Sequence, residues 1–152
     1  MVNVREKALD FELNDSFGNK VRLSDYKGKE IVLYFYPKDN TPGCTAEACS
    51  FRDGYSKYKK EGIVVIGISK DDEKSHKKFV EKYQLPFLLL ADTEKKVCKL
   101  YSVWGKKKFM GREYEGIIRT TFLIDKQFKI KEILKDVDCK NHAEDVIKIL
   151  RS

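Results

Sequence analysis

A layered α/β fold, with helices packed on a mixed β-sheet, is what this 152-residue sequence predicts. Two observations carry that reading. Runs of β-branched and aromatic residues too continuous for a half-exposed strand, "EIVLYFY" and "IVVIGIS", alternate with stretches whose apolar residues recur every three or four positions. Towards the C-terminus the alternation gives way to two strand-like runs, "IIRTTFLI" and "FKIKEIL", joined by "DKQ". Strands alternating with helices imply parallel pairing with helical crossovers, and the late hairpin adds antiparallel neighbours.

Each element follows in order. "FELN" and "KVRL" alternate around "DSFGN" and read as an N-terminal hairpin. Residues 30–36 and 63–69 are strands buried on both faces, and "FLLLAD" at 87–92 is a shorter one. Between them, Ala48, Phe51, Tyr55 and Tyr58 share one helical face, and so do Phe79, Val80 and Tyr83. Val97, Leu100, Tyr101 and Trp104 mark a further helix, and the basic run "GKKKFMGREY" reads as an exposed loop after it. In the final "NHAEDVIKIL", Asn141 and Glu144 suit an N-cap and its partner, with Ala143, Val146, Ile147 and Leu150 as the buried stripe. A β-α-β unit followed by a β-β-α unit is the thioredoxin-like arrangement, here with an extra N-terminal β-hairpin and a central helix. No repeat or linker interrupts the chain, so a single domain over residues 1–152 is expected.

Composition excludes several classes. The longest apolar runs fall far short of the ~20 residues that a membrane span needs. The N-terminus carries charges where a signal peptide would be apolar, so a soluble, cytoplasmic protein is expected. The net charge of +7 comes from interleaved signs, as in "EKSHKKFVEKY", which describes solvated helix faces rather than a nucleic-acid surface. Four cysteines with no second close pair match neither a disulfide framework nor a zinc ribbon. Cofactor fingerprints such as G-x-G-x-x-G are missing as well, so no cofactor is expected. His76 falls on the apolar face of its helix and reads as a packed structural histidine.

The stretch "YPKDNTPGCTAEAC" concentrates the chemistry. Pro37 ends a buried strand because it lacks an N–H for the ladder. Pro42 and Gly43 then open a helix whose first N–H groups have no intrahelical acceptor. That helix start favours an anion, and a cysteine placed there, Cys44, is favoured as the reactive thiolate. Thr41 adds a hydroxyl three residues earlier, able to hydrogen-bond a reacting group. Cys98 and Cys139 each stand alone beside lysines and read as small buried hydrophobes. Cys49 lies five residues beyond Cys44, which on a regular helix means a rotation of ~140° and a rise of ~7.5 Å. A disulfide does not span that separation without backbone movement. If the two do pair, the helix around residues 43–52 must first unwind. Arg119 interrupts an apolar strand-like run, and a buried cation of that kind needs a partner.

Pro37, Thr41 and Cys44 match P-x-x-x-T-x-x-C, and the chain resembles the peroxiredoxins, in particular the bacterioferritin comigratory protein or peroxiredoxin Q subfamily. "TPGCTAEACSFRD", "SHKKFVEKYQLPFLLLAD" and "GIIRTTFLID" share its character, so the likeness spans nearly the whole chain. The resemblance implies a thiol-dependent peroxidase acting on hydrogen peroxide and organic hydroperoxides. Cys44 would become a sulfenic acid, Thr41 would hydrogen-bond peroxide and thiolate, Pro37 would shield the pocket, and Arg119 would hold Cys44 ionised. Cys49 would be the resolving cysteine, giving an intramolecular disulfide that a thioredoxin-like dithiol donor reduces. Glu47 matches an acidic position of the subfamily, although a Glu in a first turn also suits the helix dipole. A monomer or weak homodimer is implied. A disulfide oxidoreductase on the same scaffold would carry C-x-x-C instead of "CTAEAC", and a passive oxidation sensor would react only once.

Overall fold

The computed structural model describes residues 2–152. Its N-terminal hairpin is β1 (Glu12–Asp15) and β2 (Lys20–Arg22), after which β3 (Glu30–Phe35) enters the interior. Helices α1 (Pro42–Asp53) and α2 (Tyr55–Lys60) lead to β4 (Ile63–Ser69), α3 (Glu73–Tyr83) and β5 (Leu88–Ala91). The short α4 (Lys96–Leu100) precedes β6 (Trp104–Phe109) and β7 (Arg112–Ile117). The chain closes with β8 (Thr120–Ile124), β9 (Ile130–Lys135) and α5 (His142–Leu150).

Seven strands make one mixed sheet in the order β2-β1-β5-β4-β3-β8-β9. β3, β4 and β5 run parallel, and β8 pairs antiparallel with β3. The thioredoxin-like α/β architecture with an added N-terminal hairpin is therefore present, the hairpin joining the sheet beside β5. Alternation along β3 divides the interior in two. Ile31, Leu33 and Phe35 face a cluster covered by the N-terminal segment and α4. Val32 and Tyr34 face the opposite cluster, covered by α1, α2, α3 and α5 and containing Cys44. Both faces of the central strands are thus buried, which is why β3 and β4 read as continuous apolar runs.

Three local expectations are corrected. The helical face through Ala48, Phe51, Tyr55 and Tyr58 is broken at Gly54, whose φ of −90° and ψ of 2° end α1 and start α2. Trp104 does not continue α4. The helix stops at Tyr101, Ser102 takes φ 59°, and the N–H groups of Ser102 and Val103 bond Lys99 and Cys98 carbonyls in a Schellman closure. Leu100 is consequently exposed. The basic run after it is a hairpin rather than a loop, pairing Trp104 with Ile117 through Phe109 with Arg112. Met110 and Gly111, both at positive φ, make the two-residue turn. With Lys106, Lys107 and Lys108 in the middle of β6 and charged residues through β7, this hairpin offers no apolar alternation to read.

The start of α5 also differs from expectation. Asn141 makes no side-chain cap, its amide bonding Asp138 instead. The Ala143 N–H is taken by the Ser50 hydroxyl of α1 at 2.9 Å, so a residue remote in sequence serves the first turn of α5.

Candidate active site

The site forms where β3 runs out and α1 begins, at the carboxyl end of the parallel strands. Pro37 follows Tyr36, whose N–H still bonds Ile68. The intervening loop is tied down through Asp39. Its N–H donates to Asp71 (2.8 Å), and its carboxylate accepts from the Tyr36 hydroxyl, Ser75 Oγ (2.8 Å) and His76 Nδ1 (2.7 Å). His76 Nε2 meets the Leu90 carbonyl at 2.9 Å, so the fully buried imidazole joins the loop to β5. The structural reading of His76 thereby gains its partners. Asp39, Asp71 and His76 bring ligand-type atoms within 4.8 Å of one another, but those atoms are engaged in this clamp.

Thr41 occupies the N-cap position with extended backbone, and Pro42 is the first helical residue. The Thr41 hydroxyl does not cap the helix; it donates to the Lys38 carbonyl at 2.8 Å. Cys44 is therefore the third residue of α1, in a first turn left uncapped by that side chain. Only 1% of it is exposed.

Arg119 lies between β7 and β8, just before the strand rather than inside it. One guanidinium nitrogen, Nη2, donates to Cys44 Sγ at 3.2 Å, and Nη1 donates to Glu47 Oε1. Glu47 is three residues beyond Cys44, hence on the same helix face. Burial pushes its carboxyl from an ordinary 4.5 up to about 7, with Arg119 offsetting that rise only in part. The other oxygen, Oε2, is buried without a hydrogen bond and lies 3.7 Å from His142 Nε2. His142 is also buried, bonds the Thr121 hydroxyl at 2.8 Å, and is pushed down to about 4 by burial. Burial alone would loosen Arg119's proton, but the neighbouring Glu47 and Cys44 more than reverse that, so the cation is fixed.

The other thiols are distributed unequally. Cys49 is partly exposed on the intact α1, and burial, more than its neighbour Arg52, sets its thiol pKa above the usual value. Cys98 belongs to the cluster on the opposite sheet face, as expected of a buried small hydrophobe, and burial pushes its thiol far up. Cys139 does not fit that expectation. It is only partly buried, and its sulfur would lie 3.9 Å from a Cβ on Gly43, the residue before Cys44.

The geometry thus assembles Cys44, Arg119 and Glu47 directly, with Pro37 and Thr41 on the loop leading in. Cys49 is not brought to Cys44. Sequence reasoning missed the contributions of His142, Thr121, Asp39 and Cys139. A polar residue on an otherwise apolar helix face was the only signal for any of them, because their partners lie on other elements.

Comparison with known proteins gives one consistent result. The AhpC/TSA family model matches residues 4–133. Peroxiredoxin Bcp of Bacillus subtilis is 49% identical over 150 residues, covering 99% of this chain and 96% of that protein. Peroxiredoxin Bcp of Escherichia coli K12 is 44% identical over 141 residues, covering 93% and 90% respectively. Among solved structures, a cysteine-to-serine mutant of Xylella fastidiosa PrxQ superposes with a TM-score of 0.93 at 34% identity, over 99% of this chain and 96% of that one. The bacterioferritin comigratory protein of Xanthomonas campestris, described for its alkyl peroxide reduction activity, reaches a TM-score of 0.87 at 33% identity, over 93% and 90%.

Proposed function

This chain belongs to the AhpC/TSA family and is a thiol-dependent peroxidase of the peroxiredoxin Bcp and PrxQ kind; we propose that Cys44 is its peroxidatic cysteine and Cys49 its resolving one. The observation supporting the first role is the Arg119 guanidinium, which bonds Cys44 Sγ with one nitrogen and Glu47 with the other. A rigid, permanently charged donor is thereby held against the sulfur that reacts. It also stands where negative charge moves from sulfur onto the leaving oxygen.

The thiolate attacks the terminal peroxide oxygen. The S–O bond forms as the O–O bond breaks, and the leaving alkoxide or hydroxide takes a proton to depart as alcohol or water. Thr41 has spent its hydroxyl proton on Lys38 and keeps its lone pairs to accept the hydroperoxide O–H. Pro37, half-buried beside it, limits water at the pocket.

Cys49 then condenses with the Cys44 sulfenic acid, releasing water and forming an intramolecular disulfide before further oxidation to sulfinic acid. Five positions along an intact helix separate the two, so α1 must unwind over residues 43–52 for the bond to close. A thioredoxin-like dithiol donor returns the disulfide to two thiols. Every group invoked comes from one chain, in keeping with action as a monomer or weak homodimer. Among the described residues no helix is long and apolar enough to cross a membrane, and the cytoplasm, where dithiol donors are kept reduced, is the compartment this cycle suits.

Peroxide consumption with a dithiol supply tests the assignment. Cys44→Ser should be inactive, and Cys49→Ser should still reduce the first equivalent of peroxide but turn over more slowly than wild type with a thioredoxin-like donor. Undiminished consumption by Cys44→Ser would overturn the mechanism and favour a disulfide-exchange enzyme.

A further inference from the structure

We propose that Cys139 is a second resolving thiol, able to capture the Cys44 sulfenic acid without the turn-and-a-half of helix that separates Cys49 from it. The inference rests on the peroxidatic role given above to Cys44. Its basis is the way three groups converge on one small surface. Arg119 Nη2 lies 3.2 Å from Cys44 Sγ. The same nitrogen would lie 3.3 Å from a Cβ on Gly43, and Cys139 Sγ would lie 3.9 Å from that Cβ. Gly43 has no side chain, so nothing of that residue stands between the Cys139 sulfur and the start of α1.

The segment carrying Cys139 is also held in place. It is a short 3-10 turn, Cys139–Asn141, fastened by Asp138 to the Lys140 N–H and the Asn141 amide. Immediately after it, Ser50 of α1 takes the Ala143 N–H. The turn is therefore fixed to the helix that bears Cys44, and Cys139 remains partly exposed. Arg119 is the neighbour that lowers the Cys139 thiol against the larger effect of burial.

The step balances without a new reactant. Peroxide oxidises the Cys44 thiolate to the sulfenic acid. The Cys139 sulfur attacks the Cys44 sulfur, forming S–S and breaking S–O, and the hydroxyl leaves with the thiol proton as water. The dithiol donor then reduces the Cys44–Cys139 bond.

The test uses full-length, reduced Cys49→Ser protein treated with hydrogen peroxide, read by thiol counting and peptide mapping without reductant. Of its three remaining cysteines, two should be lost, with a peptide linking Cys44 to Cys139. Cys49→Ser/Cys139→Ser should lose one thiol and carry Cys44 on to sulfinic acid. Sulfinic Cys44 beside an unmodified Cys139 in the Cys49→Ser protein would overturn the proposal while leaving the peroxidatic role intact. An unoxidised Cys44 in every variant would instead remove the reading on which the proposal rests.

Discussion

Replacing Glu47 with glutamine should make the protein more stable at alkaline pH and no more stable in acid. Glu47 is fully buried, has one oxygen on Arg119 and has the other without a hydrogen bond. Burial raises its carboxyl from 4.5 in the unfolded chain to about 7 in the folded one. The folded state therefore holds the extra proton between those values, and stability falls as pH rises through that window. The displacement corresponds to about 3 kcal/mol, at 1.36 kcal/mol for each tenfold change in proton affinity. Below pH 4.5 the neutral acid and the amide have nearly the same shape and charge, so the two proteins should differ little. Above pH 7 wild type keeps a buried carboxylate whose desolvation its ion pair does not repay in full. His142 acts in the opposite sense. Its folded value of about 4, below the ordinary 6.5, means stability present above 6.5 is lost as pH falls towards 4. In wild type the two slopes oppose each other, and Glu47→Gln should unmask a rise in stability with pH. Urea unfolding of the reduced proteins from pH 4 to 8.5 measures this. The difference curve should climb by about 3 kcal/mol across the Glu47 window, and a constant offset between the profiles would refute the reasoning. Activity should move the other way, since Arg119 loses the carboxylate that orients it.

Other substitutions probe separate parts of the structure. Arg119→Met removes the donor on Cys44 and should slow its reaction with peroxide by about 10²-fold; alkylation of Cys44 at neutral pH unchanged from wild type would contradict this. His76→Leu leaves the buried Asp39 carboxylate with only the Tyr36 and Ser75 hydroxyls and should cost roughly 3 kcal/mol in urea unfolding, against a negligible change if the clamp contributes nothing. Gly67→Ala would place a methyl 2.8 Å from both Leu89 Cδ2 and Tyr34 Cζ. A loss of roughly 1–3 kcal/mol is expected from that overpacking, read as a lower midpoint in thermal or urea denaturation.

Most of the fold was legible because the central strands are buried on both faces and the main helices on one. Burial imposes composition and period, and Glu30–Phe35 or Ile63–Ser69 could be read directly from them. Where an element buries little, the pattern disappears. The lysine-rich hairpin β6–β7 looked like a loop, and α4 looked longer than it is because Ser102, not glycine, takes the left-handed turn that ends it. Capping failed as a guide at Asn141, whose expected role passed to Ser50, more than ninety residues away.

The same division holds for the site. Pro37, Thr41, Cys44 and Cys49 lie within one short stretch, so spacing and helix-start chemistry were enough to propose Cys44 as the reactive thiol and to give its helical separation from Cys49. Arg119 was conspicuous as a cation in an apolar run. What the sequence by itself could not decide was which remote groups meet there. Glu47's ion pair, the unbonded oxygen beside His142, the Asp39–His76 clamp and the approach of Cys139 to Gly43 each join segments far apart in the chain. Local sequence constrains backbone conformation over a few residues, whereas proton affinities and thiol neighbours depend on distances set only when α1, α3, α5 and the sheet pack together.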